Sequence, residues 1–93
     1  MGIGDIHSTI AAISASDTLT IQPGSGDEWV IHNIFTSGTI EFVVVNGSNS
    51  VIVETTDESL TAYFFHANNT QYYKIINKEG SEIKAGYDAI ETK

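Results

Sequence analysis

Turn signals recur so often along this 93-residue chain that only short secondary-structure elements fit between them. Residues 23–26, 37–38, 46–47 and 78–80 are rich in Gly, Ser and Asn, and they interrupt segments rich in aromatic and β-branched residues. Those segments show the two-residue period of strands and no helical period. The spacing predicts an all-β fold, an antiparallel β-sandwich (jelly-roll-like) or small barrel of about seven or eight short strands.

Individual strands follow from this pattern. Asn46-Gly47 is the strongest hairpin signal, although Ser48 and Asn49 predict a longer loop, and Ser37-Gly38 suits a second tight hairpin. Gly86 predicts a bulge or break in the last segment. The strands are predicted at residues 18–23, 28–36, 39–46, 50–54, 60–66 and 71–77, with one long or two short strands in 81–92.

The first sixteen residues differ from the rest of the chain. Ile6, Ile10 and Ile13 lie at helical spacing, but Gly2, Gly4 and several Ser and Thr residues favour an extended N-terminal arm. We therefore predict two regions, an arm at 1–16 and a β-sandwich domain at 17–93. The arm is expected to become ordered by lying across an adjacent subunit, where its isoleucines would be buried.

Charge and composition exclude several classes of partner. Twelve acidic residues, four lysines and no arginine give a net charge of −8, which predicts no binding to nucleic acid or to an anionic membrane surface. There is no cysteine, hence no disulfide, zinc–thiolate site or thiol nucleophile. The N-terminal sequence lacks the pattern of a signal peptide, and no apolar stretch is long enough to span a bilayer, so we expect synthesis in a cytoplasm.

Several predicted strands are apolar on both faces, which a sandwich with one core does not need. Residues 42–45 read Phe-Val-Val-Val, and 63–65, 72–73 and 75–76 show a similar excess. A second apolar face is costly to leave in water, so it predicts self-association or docking. The predicted interface residues are Ile6, Ile10, Ile13, Val43, Val45, Tyr63, Phe65 and Tyr73.

No motif for catalysis or cofactor binding accompanies this pattern. His7, His32 and His66 lack the spacing of a zinc site, and His32 shares its predicted strand face with Val30 and Ile34, as a core or interface histidine would. No nucleophile elbow or phosphate-binding loop is present. We therefore predict no enzyme activity, no cofactor and no metal, while weak calcium binding in the acidic loops, around residues 57, 58 and 88, stays as a minor alternative.

Two other binding functions stay open. Aromatic side chains could form a stacking platform for sugars, as in carbohydrate-binding or receptor-binding β-sandwich modules. A small metabolic or regulatory barrel could instead bind a ligand in its interior, which predicts a monomer with a cavity. The candidate sugar-stacking residues are Trp29, Tyr63, Tyr72, Tyr73 and Tyr87.

Four phrases carry a family resemblance: "LTIQPGSGDEWVIHNIF", "VVVNGSNSVIVE", "HANNTQYYKIINKEG" and the ending "AGYDAIETK". Over residues 18–93 this succession resembles small β-sandwich proteins of tailed bacteriophage virions, of the capsid decoration (cement), head-fibre or spike type. Two segments depart from the pattern of those proteins. Here "GYDA" replaces a "GYDG"-like segment near the C-terminus, and "VNGS" replaces a turn that contains aspartate. The resemblance implies a virion structural protein that forms a symmetric homo-oligomer, often a trimer, and binds the major capsid protein or other virion proteins.

Overall fold

A computed structural model describes residues 2–93, and these form two four-stranded antiparallel sheets without a helix. Sheet I has the order β1-β8-β3-β6 and sheet II the order β2-β7-β4-β5. The all-β sandwich predicted from the sequence is therefore confirmed. The strands are β1 Ile6–Ile13, β2 Thr18–Ile21, β3 Glu28–Thr36, β4 Ile40–Asn46, β5 Asn49–Thr56, β6 Phe65–Asn68, β7 Gln71–Asn77 and β8 Ile83–Glu91.

The connections give this sandwich the topology of a jelly roll. Only β4 and β5 are neighbours both in sequence and in one sheet, whereas every other connection passes from one sheet to the other. The β4–β5 hairpin forms where Asn46-Gly47 predicts it, with Asn46 opposite Asn49. Its loop is only Gly47 and Ser48, shorter than expected, because Gly47 adopts a φ of 63° and so closes a two-residue turn.

The core lies between the sheets and takes one face of each strand. Phe42 is at its centre, stacked on Tyr73 at 5.1 Å between ring centroids and edge-on to Phe65 at 4.9 Å. Alternation explains this arrangement, since Ile40, Phe42 and Val44 of β4 face inward while Val43 and Val45 face outward. The fully buried isoleucines of the core are Ile21, Ile31, Ile34, Ile40 and Ile75.

The N-terminal segment belongs to the sandwich. We predicted an arm at 1–16 and a separate domain at 17–93, but among the described residues 2–16 no such boundary is found. Residues 6–13 pair with β8 without a register shift, from Ile6 opposite Ile90 to Ile13 opposite Ile83. Strand β8 supplies the hydrogen-bond partners for the backbone of this segment, and a local sequence pattern cannot reveal a partner so distant in the chain. Residue 1 lies outside the described residues.

Gly86 neither breaks β8 nor forms a bulge, contrary to the sequence-based prediction. It lies opposite Ile10, where the β1 backbone comes so close that an added Cβ would be 1.8 Å from the Thr9 carbonyl oxygen. The glycine is therefore required by the close approach of β1. The irregularity of sheet I is in β3, where the register shifts between Ile31 and Asn33.

Two further connections differ from the prediction. Ser37-Gly38 joins β3 of sheet I to β4 of sheet II, so it is a crossing between sheets and not a hairpin. Residues 60–64 do not form a strand, because Ala62 adopts a left-handed φ of 63° that extended pairing cannot accommodate. Leu60 alone makes a bridge to Ile34, and the regular strand β6 begins at Phe65.

Candidate interaction surfaces

The outer face of sheet II carries the apolar excess of β4, but neighbouring side chains cover it. Val43 and Val45 lie outside the core cluster, as the alternation of β4 predicts, yet both are buried. The register places Val43 between Ile52 and Lys74, and Val45 between Ser50 and Tyr72. The two valines are only 6% and 8% exposed, so this part of the predicted interface is poorly accessible.

Three other predicted interface residues belong to the core, which corrects the assignment of Tyr73 and Phe65 to an outer face and of Ile13 to the arm. Tyr73 pairs with Val44 and faces inward, and its hydroxyl donates to the His66 carbonyl at 3.1 Å. Burial raises the pKa of Tyr73, and a hydrogen bond with Gln71 partly offsets this effect. Phe65 packs against the same cluster, and Ile13 is buried at the end of β1.

The outer face of sheet I has accessible apolar side chains in two cross-strand rows. Ile6, Ile90 and Val30 form one row, and Ile10, Gly86 and Phe35 form the other. Ile6 and Ile10 are 73% and 65% exposed. Between these apolar rows lies a polar row of Ser8, Asp88 and Asn33, in which the Asn33 amide donates to Asp88 at 3.1 Å.

Strand β5 is the outer edge of sheet II, and its first seven residues are exposed. They include Val51, Ile52 and Val53, of which Val51 is 64% exposed. The register against β4 shifts between Phe42 and Val43, so Val53 is an extra residue on β5. Sequence analysis predicted this strand but gave no indication that it would be an edge.

The segment before β6 presents two exposed aromatic side chains. Phe64 is 72% exposed and meets the His32 ring edge-on, with 5.3 Å between centroids. Tyr63 is also exposed and stacks on Phe65 at 5.4 Å. Tyr63 is thus the one predicted interface residue outside β1 that is largely accessible. His32 lies at the irregular part of β3 beside this segment, and His66 is exposed on β6.

A buried acid–base pair that sequence analysis missed lies at one end of the sandwich. His7 Nε2 is 2.8 Å from Glu91 Oε1, and the Glu91 side chain is only 2% exposed. The Trp29 ring stacks on His7 with 4.1 Å between centroids, and Tyr87 lies 6.4 Å farther along the stack. Burial raises the pKa of Tyr87. No local signal connects His7 with Glu91, because only the β1–β8 pairing brings these distant residues together.

The geometry separates the aromatic residues considered for sugar binding. Trp29 and Tyr87 stack with His7, Tyr73 packs in the main core, and Tyr63 lies before β6. Tyr72 lies on the outer face of sheet II opposite Val45. These five residues therefore do not form one stacking surface.

Residues 2–93 enclose no pocket of the kind an interior ligand would need. Nor do the described His, Asp and Glu residues form a group of three that could hold a metal ion. Of the acidic residues weighed for calcium, Asp88 is bonded to Asn33 on sheet I, whereas Asp57 and Glu58 lie in the β5–β6 connection.

None of the described residues lies in a helix long and apolar enough to cross a membrane. Comparison with known proteins adds no assignment, since neither a protein-family profile nor a curated protein matches this chain. The bacteriophage resemblance of residues 18–93 therefore stays a prediction.

Proposed function

We propose that this chain is a non-enzymatic structural protein of a bacteriophage virion, a decoration or head-fibre component that binds copies of itself and the capsid surface. The observation that carries the proposal is the accessible apolar surface outside the core of the sandwich. The side chains concerned are Ile6 and Ile10 on β1, Val51 and Ile52 on β5, and Phe64 before β6.

Exposed apolar residues are ordinary when they are scattered, but here all of them except Phe64 lie on two edge strands, β1 and β5. Edge strands also present unpaired backbone groups, which favour association with another β-structure. A repetitive surface such as a capsid would add avidity, because many weak contacts act together. The partners we propose are other copies of this chain and a major capsid protein or another virion protein.

The buried acid–base pair supports a non-enzymatic role. His7 and Glu91 are bonded to each other, and Trp29 covers the imidazole. A catalytic acid or base must come within hydrogen-bonding distance of a substrate proton, and side chains that are 11% and 2% exposed leave little room for such an approach. We assign the pair to structure, where it fastens β1 to the end of β8.

Light scattering after size exclusion tests the self-association part of this proposal. We expect the full chain to form a closed oligomer, of which the trimer is the form that the bacteriophage resemblance implies. A measured mass that stays at 10.1 kDa, the mass of one chain, at high protein concentration would contradict self-association.

Mass spectrometry of purified particles tests the virion part. Particles from the phage or prophage that carries the coding sequence should contain the chain in many copies. Capsids that lack it, in a lysate that contains the free protein, would overturn this part of the proposal.

A carbohydrate-binding or receptor-binding module is the second candidate, favoured by Tyr63 and Phe64, which are exposed beside His32. Exposed aromatic rings are the side chains that stack on sugars. This candidate predicts a rise in the unfolding temperature with a glycan, and loss of that rise in Phe64→Ala. A glycan array without any binding would exclude it.

A further inference from the structure

The four edge strands of the two sheets differ in how well they are protected against pairing with another chain. The edge strands β2 and β6 have only four residues each, and short edges are poor templates. Strand β5 is longer, but it has the extra residue Val53 and the charge of Glu54, both of which oppose regular pairing. Strand β1 has eight residues in regular register and contains no Lys, Asp, Glu or Pro.

The backbone groups of β1 are divided between β8 and the free edge. Glu91 N–H donates to the Asp5 carbonyl at 2.8 Å, so Asp5 directs its carbonyl toward β8. Backbone directions alternate along a strand, and the register has no shift. The even-numbered residues of β1, from Ile6 to Ala12, therefore present their N–H and C=O groups to the free edge.

We infer that β1 pairs antiparallel with β1 of a second copy, around a two-fold axis at Ile10, and so joins the two copies of sheet I into one continuous sheet. This inference rests on the proposed self-association and names its contact. The unpaired backbone groups are a template for another β-strand. The side chains and charges of this chain make a second copy of β1 the strand that fits.

A register centred on Ile10 pairs almost the whole length of the β1 edge and places side chains that fit together opposite each other. Residues 7–13 of both copies overlap, with each Ile10 opposite the other and Ser8 opposite Ala12. The row of Phe35, Gly86 and Ile10 then continues into the same row of the second copy. Ile10 is 65% exposed in the single chain, and Gly86 has no side chain, so the paired isoleucines gain cover across the joined sheet.

Charge also fits this register, although each copy has a net charge of −8. Lys84 lies beside Ala12 on the outer face, and Asp88 lies beside Ser8 on the same face. The register places Ala12 opposite Ser8 of the second copy, so Lys84 and Asp88 of the two copies lie in one row. Their Cα atoms are then roughly 14 Å apart, three strand spacings, and only small side chains lie between them. The two-fold axis makes this pairing twice.

Disulfide trapping tests the contact directly, because the chain has no cysteine of its own. Ile10→Cys places two thiols directly opposite each other, at a Cα separation of about 5.5 Å that a disulfide can bridge. We expect this variant to form a covalent dimer of about 20 kDa under mild oxidation. Ile52→Cys on the β5 edge is the matched control and should stay uncrosslinked.

The register has a separate test. Ser8→Cys and Ala12→Cys should crosslink poorly alone, but an equal mixture of the two variants should form the mixed disulfide. Lys84→Glu should weaken dimerisation about tenfold, and the double variant Lys84→Glu/Asp88→Lys should restore it. Crosslinking through Ile52→Cys instead of Ile10→Cys would assign the contact to β5 and overturn the inference.

Solution mass separates the failure of this inference from the failure of the proposed function. A dimer mass for the protein without cysteine, together with Ile10→Cys crosslinking, supports the β1 contact and the proposed self-association, with a dimer in place of the trimer that the resemblance implies. A trimer without Ile10→Cys crosslinking would overturn the β1 contact and leave the virion proposal standing. A monomer in all variants would overturn the β1 contact and the proposed self-association together.

Discussion

The buried amide of Asn77 shows how single residues hold the loops of this sandwich. Its Nδ2 donates to the carbonyls of Ile13, Ser14 and Ser81 at 2.9, 3.1 and 2.9 Å, and its Oδ1 accepts from Glu79 N–H at 2.7 Å. The side chain is fully buried. It therefore ties the β1–β2 connection to the β7–β8 connection through an amide that water does not reach.

Replacement of this amide should be costly. Asn77→Ala removes the donor of three carbonyls, of which that of Ile13 is in a buried hydrogen bond, so we expect the free energy of unfolding to fall by about 3 kcal/mol. Asn49→Ala, at an exposed position in the β4–β5 hairpin, is the control and should change it by less than about 0.5 kcal/mol. Urea unfolding measures both variants, and equal losses would contradict the assigned role of Asn77.

The carboxylate of Glu79 makes the stability of the sandwich depend on pH in the acid range. The Thr39 backbone N–H donates to Glu79 Oε2 at 2.7 Å, and this bond lowers the pKa of Glu79. A hydrogen bond with the Thr39 side chain lowers that pKa further, by a smaller amount. A lowered pKa in the folded state stabilises the fold at pH values above about 4.3, the ordinary pKa of glutamate. That contribution is lost as the pH falls from there through the lower pKa of the folded state.

The variant Glu79→Gln keeps an acceptor for Thr39 but removes the charge. We expect its unfolding free energy to decline less steeply than that of the wild type as the pH falls below about 4.3. Urea titrations between pH 7 and pH 3 make the comparison. If the unfolding free energies of the two proteins fell in parallel as the pH was lowered, the stabilisation from the bond to Thr39 would not depend on the charge of Glu79.

At the scale of elements, β1 depends on the glycine in its neighbour. An added Cβ at Gly86 would lie 1.8 Å from the Thr9 oxygen and 2.7 Å from the Ile10 Cα, both backbone atoms that cannot swing away. Gly86→Ala should therefore detach β1 and lower the unfolding free energy by more than about 2 kcal/mol. Hydrogen exchange should become fast for the β1 amides that bond to β8, those of the odd-numbered residues.

Gly80→Ala is the matched control for this variant. No atom lies within 4 Å of the position that its Cβ would take, and Gly80 has no positive φ. Its stability should stay within about 0.5 kcal/mol of the wild type. Protected β1 amides in Gly86→Ala would show that the β1 backbone can move without losing its pairs.

Most strand positions could be predicted from local sequence, and the main exception, β1, was decided by its partner strand. The predicted strands at 28–36 and 71–77 have the observed bounds. Residues 71–77 alternate between core and outside, and residues 28–36 are rich in aromatic and β-branched residues and end before Ser37-Gly38. The strand β1 was predicted as an arm, since Ser8 and Thr9 give no clear alternation and its partner β8 is distant in sequence. Pairing between distant strands decided this element.

At the scale of the whole molecule, the net charge of −8 opposes the association that the apolar edges favour. Raising the salt concentration from about 10 mM to about 100 mM shortens the Debye length from about 30 Å to about 10 Å. We therefore expect self-association to tighten by about tenfold over this range, measured by sedimentation equilibrium. Weaker association in salt would mean that contacts between opposite charges, such as Lys84 with Asp88, outweigh the net repulsion.

The sequence by itself determined the all-β class, most of the strand positions and the excess of apolar residues over what one core requires. These properties depend on local alternation, turn chemistry and composition, which act between near neighbours. Only the tertiary structure decided which apolar residues are accessible. The register of β4 and β7 placed Tyr73 in the core and left Val43 covered, and the pairing of β1 with β8 exposed Ile10 and buried His7 against Glu91. Such pairs form between residues far apart in the chain, and a shift of one residue exchanges the two faces of a strand.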